Sequence, residues 1–247
     1  PQQLTVASGV EAQPSMALAD TSTGRVALAN TPGNMEIWTL PVRGNEGEVT
    51  GEIKRLTTTV VENTYPSLSV DGNRLVFASD RHRNTDIFAL DLRTGTEIAL
   101  TTTDVNEFSP FLSADNSNVL YYDYRPDQKP SFTFWVASAA GGTPRKVCAD
   151  CDGPLYGWSA NAKRVVYGDL PTGKGRVRVR YVDSGRDDVL VEHPKYAIRF
   201  PRVSPDERWI LFQTVISQTQ RQIFAAPLGG WRAAPESSWI PITNGRT

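Results

Sequence analysis

One pattern constrains this chain more than any other: an apolar triplet returns five times at a nearly fixed interval. The copies are Val26-Ala27-Leu28, Leu75-Val76-Phe77, Val119-Leu120-Tyr121, Val165-Val166-Tyr167 and Ile210-Leu211-Phe212, and their first residues stand 49, 44, 46 and 45 residues apart. Each triplet follows a polar turn: "STGR", "DGNR", "DNSN", "NAKR" or "DERW". The acid or amide at Asp71, Asp115, Asn161 and Asp206 is suited to bond its own backbone and start that turn. A second apolar tetrad comes next, beginning at Ile37, Ile87, Thr133, Val179 and Ile223, and a turn glycine follows it at Gly44, Gly95, Gly141, Gly185 and Gly229. With one segment before the turn and one after the glycine, each unit holds four short strands.

The triplets are apolar on both faces rather than alternating, the mark of strands covered front and back. Four-stranded sheets stacked radially give that covering, and a period of about 45 residues fits a propeller blade. The expected fold is therefore all-β, a β-propeller of four-stranded antiparallel blades. No segment carries helical periodicity long enough for a βαβ alternative. Residues 1–10 read as the outer strand of a preceding blade, because "QQLTVASGVEAQPSMAL" aligns with "KRLTTTVVENTYPSLSV". Five full blades are expected at 11–59, 60–103, 104–149, 150–192 and 193–247 of a single domain. The pattern stops in mid-unit at both ends, so the chain is expected to be part of a six- or seven-bladed propeller.

The stretch "YPSLSVDGNRLVFASDRHRNTDIFALDLRTG" resembles the PD40 repeat, the WD40-like blade of TolB-type propellers. Pro66, Ser69, Asp71, Gly72, Ser79, Asp80, Arg81, Asp86 and Ile87 stand at the matching places, and "RFPRVSPDERWILF" matches again through Pro201, Ser204, Pro205 and Asp206. The first copy departs by a three-residue insertion, and Asn161 replaces the acid in the fourth. The resemblance implies one of three bacterial settings. These are a periplasmic TolB-like scaffold for partner proteins, a sensor propeller attached to a kinase or winged-helix regulator, and the accessory propeller of a prolyl-oligopeptidase-type peptidase. The compartment, periplasmic or cytoplasmic, does not follow from the residues.

Net charge is −1 over 247 residues, with 21% charged and 39% hydrophobic residues, a globular balance without the basic excess of a nucleic-acid binder. No run of about 18 apolar residues occurs, so no membrane span is expected. No cofactor is expected either.

Catalytic residues are not expected. The chain has no Gly-x-Ser-x-Gly elbow, and its two histidines, His82 and His193, have no evident serine and acid beside them. "GDLPTGKGR" lacks phosphate-loop spacing and reads as a hairpin loop. The two cysteines, Cys148 and Cys151, have Cys-x-x-Cys spacing without a second ligand pair. They are a weak metal candidate beside two plainer readings, a local disulfide or free thiols. Arg176, Arg178 and Arg180 alternate along one strand and form a basic stripe able to meet phosphate or carboxylate, or to pair with Asp183, Asp187 or Asp188. The residues leading into each inner strand are expected to line a channel mouth and to bind a protein or peptide partner. The candidates are Glu62, Asn63, Asn106, Glu107, Arg199 and Arg202, with Asp152 beside them.

Overall fold

Short polar turns between apolar runs leave each repeat only hairpin connections, and the result is a set of meanders. The computed structural model describes residues 11–18 and 30 by their backbone, and 24–29, 35–43, 46, 48–58, 61–129, 131–149, 151, 153–169, 175–217 and 219–243 in full. Five antiparallel sheets follow one another along the chain, each with its strands side by side in sequence order. These are propeller blades. Blade 1 holds Glu11–Leu18, Gly24–Asn30 and Glu36–Arg43, then the short pieces Glu48–Val49 and Lys54–Arg55. Blade 2 holds Asn63–Leu68, Arg74–Ser79, Asp86–Asp91 and Glu97–Ala99. Blade 3 holds Glu107–Leu112, Asn118–Tyr124, Phe132–Ser138 and Arg145–Cys148. Blade 4 holds Leu155–Trp158, Arg164–Gly168, Gly175–Tyr181 and Asp187–His193. Blade 5 holds Ala197–Val203, Trp209–Val215, Arg221–Pro227 and Ile240–Pro241. Among the described residues the one helical piece is a 3-10 turn, Glu236–Ser238, and no helix is long and apolar enough to cross a membrane.

The longer spacing of the first repeat has a local cause. Its fourth strand is broken in two, and both pieces pair with the same edge of Glu36–Arg43, Val49 opposite Val42 and Arg55 opposite Trp38. Pro41 stands between those two contacts and has no N–H to give a continuous ladder. Its carbonyl accepts from Thr50 N at 3.0 Å, where the chain leaves the edge.

One hydrogen-bond network recurs at the turn between the first two strands of blades 2 to 5. A serine hydroxyl donates to the acid or amide two residues on: Ser69 to Asp71 and Ser113 to Asp115 at 2.5 Å, Ser159 to Asn161 at 2.8 Å, Ser204 to Asp206 at 2.5 Å. The same serine oxygen accepts the amide five residues on, at Arg74, Asn118, Arg164 and Trp209. The residue after the acid or amide takes a left-handed backbone in every case: Gly72, Asn116, Ala162 and Glu207, at φ 67°, 60°, 55° and 55°. Only the first two residue types favour that region, so at Ala162 and Glu207 the network holds a conformation that costs free energy. The corresponding turn of blade 1 lies outside the described residues.

The first strand of all five blades carries a register shift: Ala12/Ser15, Thr64/Ser67, Phe108/Phe111, Leu155/Gly157 and Arg199/Arg202. In three blades a left-handed residue sits at the shift directly before a proline: Tyr65 before Pro66, Ser109 before Pro110 and Phe200 before Pro201. A bulge of this kind bends the strand and re-aims its side chains.

Backbone contacts divide the chain into two compact units. One runs to Arg125 and includes Trp135–Lys146; the other holds Pro126–Phe134 and everything from Val147 onward. In the first, Ala27 and Ile37 of blade 1 pack with Leu75, Phe77 and Phe88 of blade 2, while Val76, Ala78 and Ala89 on the opposite face of blade 2 pack with Val119 and Tyr121 of blade 3. In the second, Val166 and Val179 of blade 4 pack with Ile210 and Phe212 of blade 5. These two-sided contacts account for the uninterrupted apolar triplet of blade 2.

Candidate functional site

The expected partner-binding residues divide into exposed and buried sets. Glu62 and Asn106 are exposed at the points where the chain enters the first strands of blades 2 and 3. The carboxylate of Asp80 accepts from Glu62 N at 2.8 Å, and Asn106 Oδ1 accepts from Thr85 N at 3.0 Å, so both points of entry are fixed. Asn63 and Glu107, one residue further on, are buried. Each begins a first strand whose bulge lies two residues later, and its side chain turns into the blade. Asn63 Oδ1 accepts from Arg81 Nη2 at 3.3 Å, and Glu107 Oε1 accepts from Thr103 Oγ1 at 3.0 Å. In this conformation neither side chain presents a surface to a partner.

Arg199 and Arg202 are exposed on the first strand of blade 5, in the other compact unit. Arg202 Nη1 donates to the carbonyls of Tyr156 and Pro201 at 3.1 and 3.0 Å. Between them Phe200 is 60% exposed, held outward by its left-handed backbone at the bulge. Sequence reasoning missed Phe200, although its position before Pro201, parallel to Tyr65 and Pro66, marks the bulge. Asp152 lies outside the described residues.

The basic stripe is neutralised from within blade 4. Arg178 Nε donates to Asp169 Oδ1 at 2.8 Å, and Arg176 Nε stands 2.8 Å from Asp169 Oδ2 as an ion pair without an aligned hydrogen bond. Arg180 is buried and meets Asp187. Tyr167 lies against the same Asp187, and burial pushes its hydroxyl above the usual tyrosine range.

Cys148 and Cys151 form a disulfide with Cα atoms 5.8 Å apart, so the weak metal reading gives way to the local crosslink. Among the described residues no group of three His, Cys, Asp or Glu is arranged to hold a metal ion. Cys148 occupies a particular place. Thr57, Thr101 and Thr243 each accept from the first amide of an apolar tetrad, at Ile37, Ile87 and Ile223. In blade 3 the corresponding position, after the final apolar residue of the fourth strand, is Cys148.

The histidines and turn serines also have structural partners. His82 Nδ1 lies 3.0 Å from Asp86 Oδ2. His193 is buried, stacked on Tyr196 at 4.5 Å, and its Nδ1 accepts the amides of Lys195 and Tyr196 at 3.0 and 2.8 Å. Arg81, read from sequence as a rim residue beside His82, bridges Asn63, Ser79 and Glu97 and lies over the Phe88 ring at 4.1 Å. The "GDLPTGKGR" loop lies mostly outside the described residues.

The fold these blades define is a TolB-like β-propeller. TolB from Acinetobacter baumannii superimposes with a TM-score of 0.70 at 16% identity, over 90% of this chain and 53% of its own length. A TolB-assigned protein from Agrobacterium tumefaciens gives 0.63 at 23% identity, over 78% of this chain and 66% of its own. The chain thus spans between half and two thirds of those two proteins. A prolyl endopeptidase structure gives 0.61 at 13% identity, over 97% of this chain and 37% of its own. No family model matches the chain, and no curated protein matches it in sequence.

Proposed function

We propose that this chain is a non-catalytic interaction module, a TolB-like propeller that receives a protein or peptide segment at the entrances to its first strands. The observation that carries this reading is a division of labour among polar side chains. In one compact unit Glu62 and Asn106 face solvent where the chain enters the first strands of blades 2 and 3; in the other, Arg199 and Arg202 face solvent on the first strand of blade 5, with Phe200 exposed between them. Two arginines flanking an exposed aromatic suit orientation-specific binding of a segment that carries a carboxylate. The groups that nucleophilic chemistry would need are engaged elsewhere: Ser159 and Ser204 hold turns, and His193 Nδ1 holds two amides.

A second reading, an accessory propeller beside a catalytic domain of the prolyl-oligopeptidase type, is favoured by the prolyl endopeptidase match over nearly the whole chain. Site-specific photo-cross-linking tests the interaction reading. A photoreactive phenylalanine at Glu62, Asn106 or Arg199 should give discrete protein adducts in cells, and one at Arg93, at the opposite end of blade 2 from Glu62, should not. Adducts from Arg93 alone would overturn it.

A further inference from the structure

Two positions can be compared across four blades, six residues before and ten after the turn serine. They hold Asn63 and Ser79 in blade 2, Gly153 and Asp169 in blade 4, and Ile198 and Thr214 in blade 5. Blade 3 alone of these four puts a carboxyl at both, Glu107 and Asp123, and they are register partners on adjacent antiparallel strands. Such partners hold their Cβ atoms about 4.5–5.5 Å apart, where like charges repel. Both residues are 2% exposed, and Glu107 Oε2 and Asp123 Oδ1 have no hydrogen-bond partner among the described residues.

A third buried carboxyl, Asp86, comes from blade 2, and Thr103 ties it to Glu107. Thr103 N donates to Asp86 Oδ1 at 3.3 Å while its hydroxyl donates to Glu107 Oε1 at 3.0 Å. The countercharge is thin. Arg125 Nη2 reaches Asp123 Oδ2 at 3.4 Å, an oxygen that also accepts from Trp135 Nε1 at 2.9 Å. His82 meets Asp86 from a half-exposed position. Tyr121, the remaining titratable neighbour, is raised above the usual tyrosine range by burial and then by Glu107 and Asp123. Burial first, and then Asp86 and Asp123, push the Glu107 carboxyl up to about 7, against the hydroxyls of Thr101 and Thr103, which favour its charged form.

We propose that Glu107 is a proton-operated latch at the junction of blades 2 and 3. Neutral, it accepts from Thr103 and lies beside Asp123 without repulsion. Charged, it is repelled by Asp86 and Asp123 at once, and the connection from Thr101 to Glu107 loosens. That connection is otherwise held by Glu107 N donating to Thr85 O at 2.8 Å and by Thr85 N donating to Asn106 Oδ1. Because the folded value lies above the ordinary 4.5, the stabilisation is complete below about pH 4.5 and is lost as pH rises towards 7.

Amide hydrogen exchange over residues 101–108, corrected for the intrinsic rate, tests the latch between pH 5.5 and 8.5. The wild-type chain should lose protection by about tenfold or more between about pH 5.5 and 7 and then level off, and Glu107→Gln should show no such decline. Asp123→Asn should level off at a lower pH, since one repelling carboxylate is gone. A flat wild-type profile overturns the latch, as does an equal loss in Glu107→Gln. Should Glu107→Gln fail to fold, an unshifted levelling point in Asp123→Asn overturns it instead.

Discussion

Arg180 and Asp187 stand opposite one another on the third and fourth strands of blade 4, and the guanidinium meets the carboxylate through two bonds, Nε to Oδ1 at 2.9 Å and Nη2 to Oδ2 at 2.5 Å. The arginine side chain is 9% exposed. Removing the acid takes the two-bond partner from a buried charge, so Asp187→Ala should destabilise the chain by about 3 kcal/mol in urea unfolding. Arg186 and Asp188 pair nearby at 2.8 Å with side chains 63% and 40% exposed, and Arg186→Ala should cost less than about 1 kcal/mol. Equal costs would show that burial is not what sets the difference.

The serine of the repeated turn is buried in blades 2, 3 and 4 and serves as donor and acceptor at once. Ser113→Ala should cost about 1–2 kcal/mol by chemical denaturation, since it leaves the Asn118 amide without its bond. The same hydroxyl, and then the Ser117 amide, hold the Asp115 carboxyl down to about 2. Asp71 and Asp206 are lowered in the same way, first by Ser69 and Ser204. Lowered carboxylates stabilise the fold above their ordinary value of 3.8, and that share is lost as pH falls towards 2. The melting temperature of the wild-type chain should therefore drop between pH 4 and 2 more steeply than that of Ser113→Ala.

Leu120 and Leu211 hold the same place in the triplets of blades 3 and 5, yet Leu120 is fully buried and Leu211 is 42% exposed. Leu120→Ala should cost about 2–5 kcal/mol, whereas Leu211→Ala should cost about 1 kcal/mol or less. Similar values from equilibrium unfolding would mean that the two triplets are equally covered in solution.

The Cys148–Cys151 bond closes a four-residue loop, for which chain entropy predicts a stabilisation of about 2 kcal/mol. Unfolding with and without reductant should differ by that amount, and alkylation followed by intact mass measurement should find no free thiol before reduction. A free thiol in the native chain would contradict the crosslink.

Strands and turns were legible in the sequence because their signals are local. Asp71, Asp115, Asn161 and Asp206 mark turns by their own chemistry, and the apolar triplets mark strands covered twice. The left-handed residues at Ala162 and Glu207 were not legible, since neither favours that backbone and the serine network alone imposes it. The candidate site was only partly readable. Polar residues before a strand look alike in sequence, and only the pairing that starts at Asn63 with Ser79 and at Glu107 with Asp123 separates these buried side chains from exposed Glu62 and Asn106. The arginine stripe was read from strand alternation with Asp187 among its candidate partners, but Asp169, which meets Arg176 and Arg178, lies on a neighbouring segment whose register no single strand reveals.

Isothermal titration tests the interaction role most directly, with a peptide selected on the wild-type chain from a displayed random dodecapeptide library as the probe. Arg199→Glu should raise its Kd by about tenfold or more, equivalent to about 1.4 kcal/mol, with the melting temperature nearly unchanged. Arg93→Glu, in the exposed turn after the third strand of blade 2, should leave Kd as it was. Loss of binding in Arg93→Glu, with Arg199→Glu binding as the wild type does, would contradict the account.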